Sequence, residues 1–532
     1  MLRRSYRLFS TKVHQSPFKR VEIPLVTPWE LVCDQSKGRE NDIALICGLT
    51  HEQTTFGEFV SKVEKVATSF AALGVKKGDV IGTNVVNCVE YPILYHATTA
   101  LGAILSPASP QFLGNELAYQ MKSANAKYFV THQSVQNIAR DAMEHYEIPI
   151  DKQFCIGDST HFQSFNELLK VDKINIPHTE IDVKKDVHFL PFSSGTTGPP
   201  KGVRLSFHNL TSNVIQASSL DRMGPHALML LPYYHIYASL LMSWTLYQGS
   251  AQVVLPKFDP ENFLHVLERY KIHKAHLVPP LITFLAKHPL VDKYDLSATK
   301  HIISGAAPMG EELEQQIERR LGIKVKQGFG MTELSPVGSL PIDGQSKSGS
   351  VGPLVPNTEL RIVCPIKGVD LNVNEPGELW YRGPQAMLGY HNNEEATKAT
   401  LTPDGFVKTG DIGYIDEDGH IFVVDRLKEL IKYKGHQIAP AELEDVVLSH
   451  PKVMDVGCIR GRNEEGEEVP KACVVVKPNE SLTADELMDF VAERVAPFKK
   501  IRQVEFVSTI PKSASGKIIR RLLQAEHGAS FN

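Results

Sequence analysis

Phe192-Ser193-Ser194-Gly195-Thr196-Thr197-Gly198-Pro199-Pro200-Lys201-Gly202 follows the apolar run His188-Phe189-Leu190-Pro191. The stretch combines three glycines, two threonines, two serines and one lysine. Glycines let a backbone bend until several N–H groups point at one anion. The hydroxyls add donors and the lysine adds charge. The pattern predicts a phosphate-gripping loop placed after a strand. It is not a Walker A loop, which needs glycine before the lysine and Ser or Thr after it. Here Pro200 precedes Lys201 and Gly202 follows it. The alternative is a polar linker between strands, but linkers rarely join such a lysine to a stiff Pro-Pro.

Outward from this loop, strand and helix patterns alternate. Phe56, Phe59, Val60, Val63, Val66 and Ala67 share a helical face. Residues 80–86 read as a strand, 91–101 as a helix and 103–107 as a strand. Further strands are expected at 128–131, 251–255 and 301–304. Such alternation predicts parallel sheets flanked by helices. Short strands rich in Gly and Pro over 349–383 suggest a small β-subdomain. Near Asp425-Arg426 a second unit begins, with a helix over 440–449, a strand over 472–476 and a helix over 483–495. The fold class is α/β: a large N-terminal domain of α/β subdomains plus a β-subdomain, then a small, mobile α+β C-terminal domain. The expected divisions are 1–20, 21–425, a hinge at 426–431, and 432–532.

A chain of 532 residues exceeds one core. Its hydrophobic content of 42% and charged content of 22% are those of a soluble enzyme. A net charge of −4 gives no reason to expect nucleic acid as a partner. The seven cysteines form no C-x-x-C pair, so neither a zinc site nor a disulfide framework is indicated. No apolar run is long enough to span a bilayer, which leaves peripheral membrane contact open. The most apolar stretch, 227–246, is broken by Pro232 and His235 and reads as a buried strand and helix. Residues 1–20 carry Arg3, Arg4, Arg7, Lys12, Lys19 and Arg20 and no acid. Leu2, Tyr6, Phe9 and Val13 share one helical face. This describes a mitochondrial transit segment, with processing after Phe9 and a matrix location expected. A disordered basic tail and a cytoplasmic location are the alternatives.

Three further motifs stand downstream. Gly328-Phe329-Gly330-Met331-Thr332-Glu333 offers close backbone approach, an aromatic face, a hydroxyl and a hard oxygen ligand suited to Mg²⁺. Ser304-Gly305-Ala306-Ala307-Pro308 follows an apolar strand and leaves room for a flat ring. Thr409-Gly410-Asp411, Asp425 to Gly435, and Pro511 to Lys517 complete the series.

In combination and order, these segments resemble the adenylate-forming superfamily: acyl-CoA synthetases, aryl-CoA ligases, beetle luciferases and amino-acid adenylation domains. The resemblance runs from about Pro28 to Leu523. It implies ATP, Mg²⁺ and coenzyme A as cofactors and a small-molecule carboxylic acid as substrate. It places Ser193, Ser194, Gly195, Thr196, Thr197, Gly198 and Lys201 on phosphate. Gly328, Phe329, Gly330 and Ala306 are placed around adenine, Thr332 at the α-phosphate, and Glu333 on the metal. Asp411 and Arg426 are implied at the ribose, and Lys517 at the transferring group. Lys428 is the implied hinge. Lys432, Lys434 and Gly435 would line the pantetheine channel after the small domain rotates.

Residues 231–238 resemble plant 4-coumarate–CoA ligases. His235 stands where the family places a gate beside the substrate carboxylate. Tyr237, Leu241, Ile303, Gly305 and Ala306 would line the acyl pocket. None of residues 233–241 is acidic, which argues against an amino-acid substrate. Ile303 and Leu241 depart from several plant ligases, which have a lysine and a serine there. Both changes favour a medium-chain fatty or aryl acid over a hydroxycinnamate. A luciferase-like oxygenase shares nearly every motif, but the peroxisomal Ser-Lys-Leu ending usual in beetle luciferases is absent. A non-enzymatic nucleotide-binding scaffold would be expected to lose Lys517, Glu333 or Asp411, and all three are present.

Overall fold

The computed structural model describes residues 12–193, 200–307, 309–427, 429–433, 436–464, 466–512 and 516–528. Among them the largest sheet has nine strands. Its centre is parallel: Ile104–Ala108, Val80–Asn84, Ala126–His132 and Gln153–Ile156 run in order. At one end the register turns antiparallel. Phe192–Ser193 pairs with Lys201–Ser206, and Lys201–Ser206 also takes Val187–Phe189 and Gly389–Tyr390. The expected parallel sheet is present, and an antiparallel segment joins its end at the phosphate-loop stretch. The two ends of the phosphate-loop stretch pair antiparallel, Ser193 opposite Lys201 and Phe192 opposite Gly202. A sequence without a helix between two strands favours this antiparallel return.

A second sheet joins His226–Met229, Ala251–Val254 and Ile43–Cys47 in parallel, with Gln53–Thr55 antiparallel at its edge. The helix Ile236–Gln248 is apolar nearly all round, and its residues 238–246 are all buried. Such a helix belongs inside a core. It ends at Gly249, whose φ is +73°. A Cβ there would lie 1.8 Å from the Arg39 guanidinium, which donates to the Gly249 carbonyl at 3.1 Å. Only glycine allows both the left-handed turn and that contact.

A parallel three-stranded sheet, Lys274–Leu277, His301–Ser304 and Lys324–Gln327, ends at the cleft described below. The β-subdomain is an antiparallel sheet of Glu359–Val363, Gly377–Arg382, Val407–Ile415 and Ile421–Arg426. Its outer strand is His14–Gln15, paired with Glu359 and Leu360. The peptide expected as a leader through residue 20 thus joins the fold by residue 14. Ser16 donates to the Leu354 carbonyl at 2.9 Å, and Val21 N–H donates to Asn357 at 3.0 Å. Residues 1–11, including Phe9, lie outside the described residues.

Beyond Arg426 a separate core forms. The hairpin Val453–Arg462 and Glu468–Val476 adds Gln503–Phe506 in parallel, under Pro440–Leu448 and Ala484–Ala492. Ile431, Leu443, Val447, Val456, Val474, Leu487 and Val491 fill its interior. The terminal helix Arg520–His527 lies on the opposite face, through Leu523.

Candidate functional site

One cleft of about 2830 Å³ is lined from both sides of the Asp425-Arg426 boundary. Ser193, Lys201, His235, Tyr237, Ile303, Gly305, Ala306, Gly328, Phe329, Gly330, Thr332, Glu333, Asp411, Arg426 and Lys517 all line it. Residues separated by more than three hundred positions are thereby gathered at one site. Ser194, Gly195, Thr196, Thr197 and Gly198 lie outside the described residues, as do Lys428, Lys434 and Gly435. Lys432 stands in the strand Ile431–Tyr433.

The segment 328–333 is a short strand, Phe329–Gly330, followed by one tight turn, Thr332–Leu334. Gly330 is obligatory: a Cβ there would sit 2.7 Å from the Pro336 carbonyl oxygen. Phe329 stacks on Tyr381 at 5.3 Å between ring centres, and Tyr381 shares a 2.9 Å hydrogen bond with Ser339. This backing fixes the plane of Phe329 at the cleft wall.

Glu333 is 6% exposed. Its Oε1 accepts from the Tyr390 hydroxyl at 2.8 Å and from Ser193 at 3.4 Å. Burial, reinforced by this carboxylate, pushes the Tyr390 phenol far above its ordinary range, so Tyr390 is a fixed donor. Lys201 lies 5.3 Å from the centre of the same ring. Mg²⁺ is commonly held by one or two carboxylates plus substrate phosphates. A buried, oriented carboxylate beside Ser193 fits that requirement. Among the described residues, no cluster of three or more His, Cys, Asp or Glu could hold a metal without other ligands.

Asp411 and Arg426 stand opposite each other on adjacent antiparallel strands. The Arg426 Nε is 3.5 Å from the Asp411 carboxylate. Burial raises the Asp411 pKa, against the pull of Arg426 and Lys517. Lys517 enters from the small domain. Its pKa is lowered to about 8, first by burial and then by Arg426, with Asp411 and Glu429 opposing. The neighbouring Gly516 has φ +77°, and a Cβ there would lie 2.6 Å from Pro280 of the large domain. The glycine lets the two domains touch beside Lys517.

The other arm of the cleft is the expected acyl wall. His235 precedes the first turn of Ile236–Gln248 and packs against Tyr234 at 4.3 Å. Burial lowers its pKa to about 4, leaving a neutral imidazole at neutral pH. Ala306 has φ +70°, a strained value for a residue with a side chain. Gly305 lies under the Tyr237 ring, which a Cβ would approach to 2.9 Å. Leu241 does not line the cleft: it is 2% exposed and packed in the main core. Helical side chains lean toward the N-terminus, and Trp244, one turn further on, reaches the wall instead.

Four contributors escaped the sequence reading: Tyr390, Tyr381, Trp244 and His276. Each depends on a pairing across the chain that no local motif signals. His276 lies on a strand, and its Nδ1 shares a 2.7 Å hydrogen bond with the Tyr237 hydroxyl. Burial, with Lys274 and Lys326 behind it, holds this imidazole neutral. Those lysines are paired with Asp221 and Asp343. Tyr237→Phe strips His276 of that partner. We expect a loss of about 1–3 kcal/mol in stability, read from the shift in urea midpoint at unchanged slope.

Comparisons with known proteins agree with this geometry. The family profile of AMP-binding enzymes matches residues 33–391. The profile of the AMP-binding enzyme C-terminal domain matches residues 442–517. The chain is 38% identical to a probable 4-coumarate–CoA ligase 1 of Dictyostelium discoideum, covering 96% of this chain and 97% of that protein. It is 38% identical to 4-coumarate–CoA ligase 1 of Solanum tuberosum, covering 98% and 97%. The structure of ATP-bound MatB from Rhodopseudomonas palustris superposes with a TM-score of 0.86 at 26% identity, covering 94% of this chain and 98% of that one. The chain belongs to the AMP-binding enzymes of the adenylate-forming superfamily.

Proposed function

We propose that this chain is an AMP-forming carboxylate–CoA ligase. The carrying observation is the convergence of Lys517, Asp411, Arg426 and Glu333 on one cleft that is also lined by Tyr237, Trp244, Ile303, Gly305 and Ala306. The relatives, named as 4-coumarate–CoA ligases, support the same class. In the first half-reaction a substrate carboxylate oxygen attacks the α-phosphorus of ATP. The bond to the bridging oxygen breaks, and pyrophosphate leaves. No enzyme nucleophile is needed. Negative charge grows on the transferring group, and a cation placed there lowers the barrier more than it aids binding. Lys517 supplies that cation. Asp411 accepts the ribose hydroxyls, with Arg426 beside it, and Phe329 and Ala306 face the adenine. Thr332 donates to the α-phosphate, and Ser193 and Lys201 flank the phosphates. Mg²⁺, when bound, offsets phosphate charge, with Glu333 as its protein ligand. In the second half-reaction the thiol of coenzyme A attacks the mixed anhydride carbonyl and AMP leaves.

The wall of Tyr237, Trp244, Ile303, Gly305 and Ala306 favours a medium-chain fatty or aryl acid. His235, neutral and at the helix start, gates the carboxylate. The basic leader supports a mitochondrial matrix location, tested by whether residues 1–20 carry a fluorescent reporter into isolated mitochondria.

The defining test is pyrophosphate release from MgATP over a panel of short- to long-chain fatty acids, benzoates and cinnamates, with and without coenzyme A. We expect acid-dependent release, with AMP and acyl-CoA accumulating only when the thiol is present. Light output with a luciferin would favour the oxygenase alternative. Silence from folded, ATP-binding protein would favour a scaffold.

A further inference from the structure

We propose that Arg520 is a positioning residue for Lys517: it ties the terminal helix to Glu429 and Glu444 and so holds the Lys517 ammonium beside Asp411 and Arg426. The proposal rests on the ligase reading given above.

Lys517 projects from a segment with two anchors. On its N-terminal side Lys512 pairs with Asp455 at 2.7 Å and bridges Ile518 through the backbone. On its other side Arg520 opens the helix Arg520–His527, three positions after Lys517. Its side chain is 13% exposed. Nη2 lies 2.8 Å from Glu444 and Nε lies 3.2 Å from Glu429. Glu444 is itself fixed, accepting the Cys458 N–H at 2.7 Å. Glu429 belongs to the segment just after the expected hinge position, so the fork reaches from the terminal helix to the hinge.

A third carboxylate completes the arrangement from the other side of the hinge. Asp425 accepts the Ala441 N–H at 3.0 Å, at the start of the helix Pro440–Leu448, and Arg520 acts on it electrostatically. One guanidinium therefore pairs with two carboxylates, Glu429 just after the hinge and Glu444 beyond it, and its charge also favours the ionised form of Asp425 before the hinge. A planar fork suits this better than a point charge. Rotation of the small domain about residue 428 would separate Asp425 from the other two. With Lys517 in the cleft, Nη2 hydrogen-bonds Glu444, while Nε faces Glu429 as an ion pair and makes no hydrogen bond among the described residues.

The mechanism described above uses Lys517 and leaves Arg520 without a role. Misplacing a reacting cation by about 1 Å costs about a hundredfold in rate. Arg520→Gln is thus expected to slow ATP–pyrophosphate exchange by about 30- to 100-fold. The KM values for ATP and acid should stay within about threefold. Thioester formation from a supplied acyl-adenylate should also hold within about threefold, because Lys517 has left the site by then. Arg520→Lys should recover part of the loss.

The pH profile separates positioning from general support. The charges acting on Lys517 are Arg426 and Asp411 from the large domain, Glu429 from the hinge and Arg520 from its own helix. Deleting the Arg520 cation favours protonated Lys517, so the alkaline limb of the exchange profile moves to higher pH. Glu429→Gln removes an anion while leaving the Arg520–Glu444 pair in place, so it moves the limb to lower pH. It also slows exchange by about five- to tenfold through the weakened tether. This second variant keeps the test decisive if Arg520→Gln fails to fold.

Opposite limb movements with thiolysis spared would establish the role. Parallel loss of both half-reactions, or a limb that stays in place in both variants, would overturn it. Absence of pyrophosphate release in the unaltered protein would overturn the ligase reading first, and this one with it.

Discussion

Lys517→Ala is expected to lower acyl-adenylate formation by at least about a thousandfold, while thioester formation from a supplied acyl-adenylate is spared. Losing one preorganised donor from a transition-state site costs about 10²–10³ in rate, and a full charge in a water-poor cleft is worth more. Selectivity between the half-reactions follows from where the charge develops: phosphoryl transfer builds it near Lys517, and thiolysis builds it on a carbonyl. Equal loss in both would remove Lys517 from the proposed role. The unaltered enzyme carries a linked signature. Its Lys517 pKa is lowered to about 8 by burial and by Arg426. The active form is the cation, so adenylation should fall as pH rises through about 8, and thiolysis should not follow that limb.

Glu333→Gln is expected to reduce adenylation about a hundredfold and to raise the Mg²⁺ concentration needed for half-maximal rate. The substitution is chosen for what it keeps. An amide oxygen can still accept the Tyr390 hydroxyl that now lies 2.8 Å from Oε1, so packing holds while the charge is lost. Glu333→Ala, by contrast, leaves a buried phenol unpaired and should also cost about 1–3 kcal/mol of stability. Thermal unfolding of both variants, run beside a Mg²⁺ titration of exchange, separates the two effects. An unchanged Mg²⁺ dependence in the Gln variant would take Glu333 off the metal.

Much of this architecture was legible because it is local. The strand His301–Ser304 and the helix Pro440–Leu448 follow from apolar runs closed by glycine or opened by proline. The motif at 328–333 was legible for the same reason: its glycines are needed by contacts a few residues away. The phosphate stretch reads in sequence as a loop after a strand, with no sign of the antiparallel pairing at its two ends. Lys201–Ser206 is as short as many loops, and its partners come from residues 187–193 and 389–390. Leu241 was misplaced because periodicity gives a helix face and not which side chain along it reaches the cleft. Arg520, Tyr390 and His276 look ordinary in sequence. Their significance lies in partners 39 to 91 positions away, such as Glu429 for Arg520, or in ring contacts that no spacing rule encodes.

The strand His14–Gln15 has a consequence for how the protein can be trimmed. It covers one side of Glu359–Val363 at Glu359 and Leu360, and the other side of that strand is already paired with Gly377–Arg382. A cut after Phe9 leaves that cover in place. A cut after residue 20 would strip it and bare a row of backbone donors and acceptors, the usual template for association between chains. A form beginning at residue 21 should therefore self-associate at concentrations where one beginning at residue 10 stays dispersed, a difference that light scattering would register without any assay of chemistry.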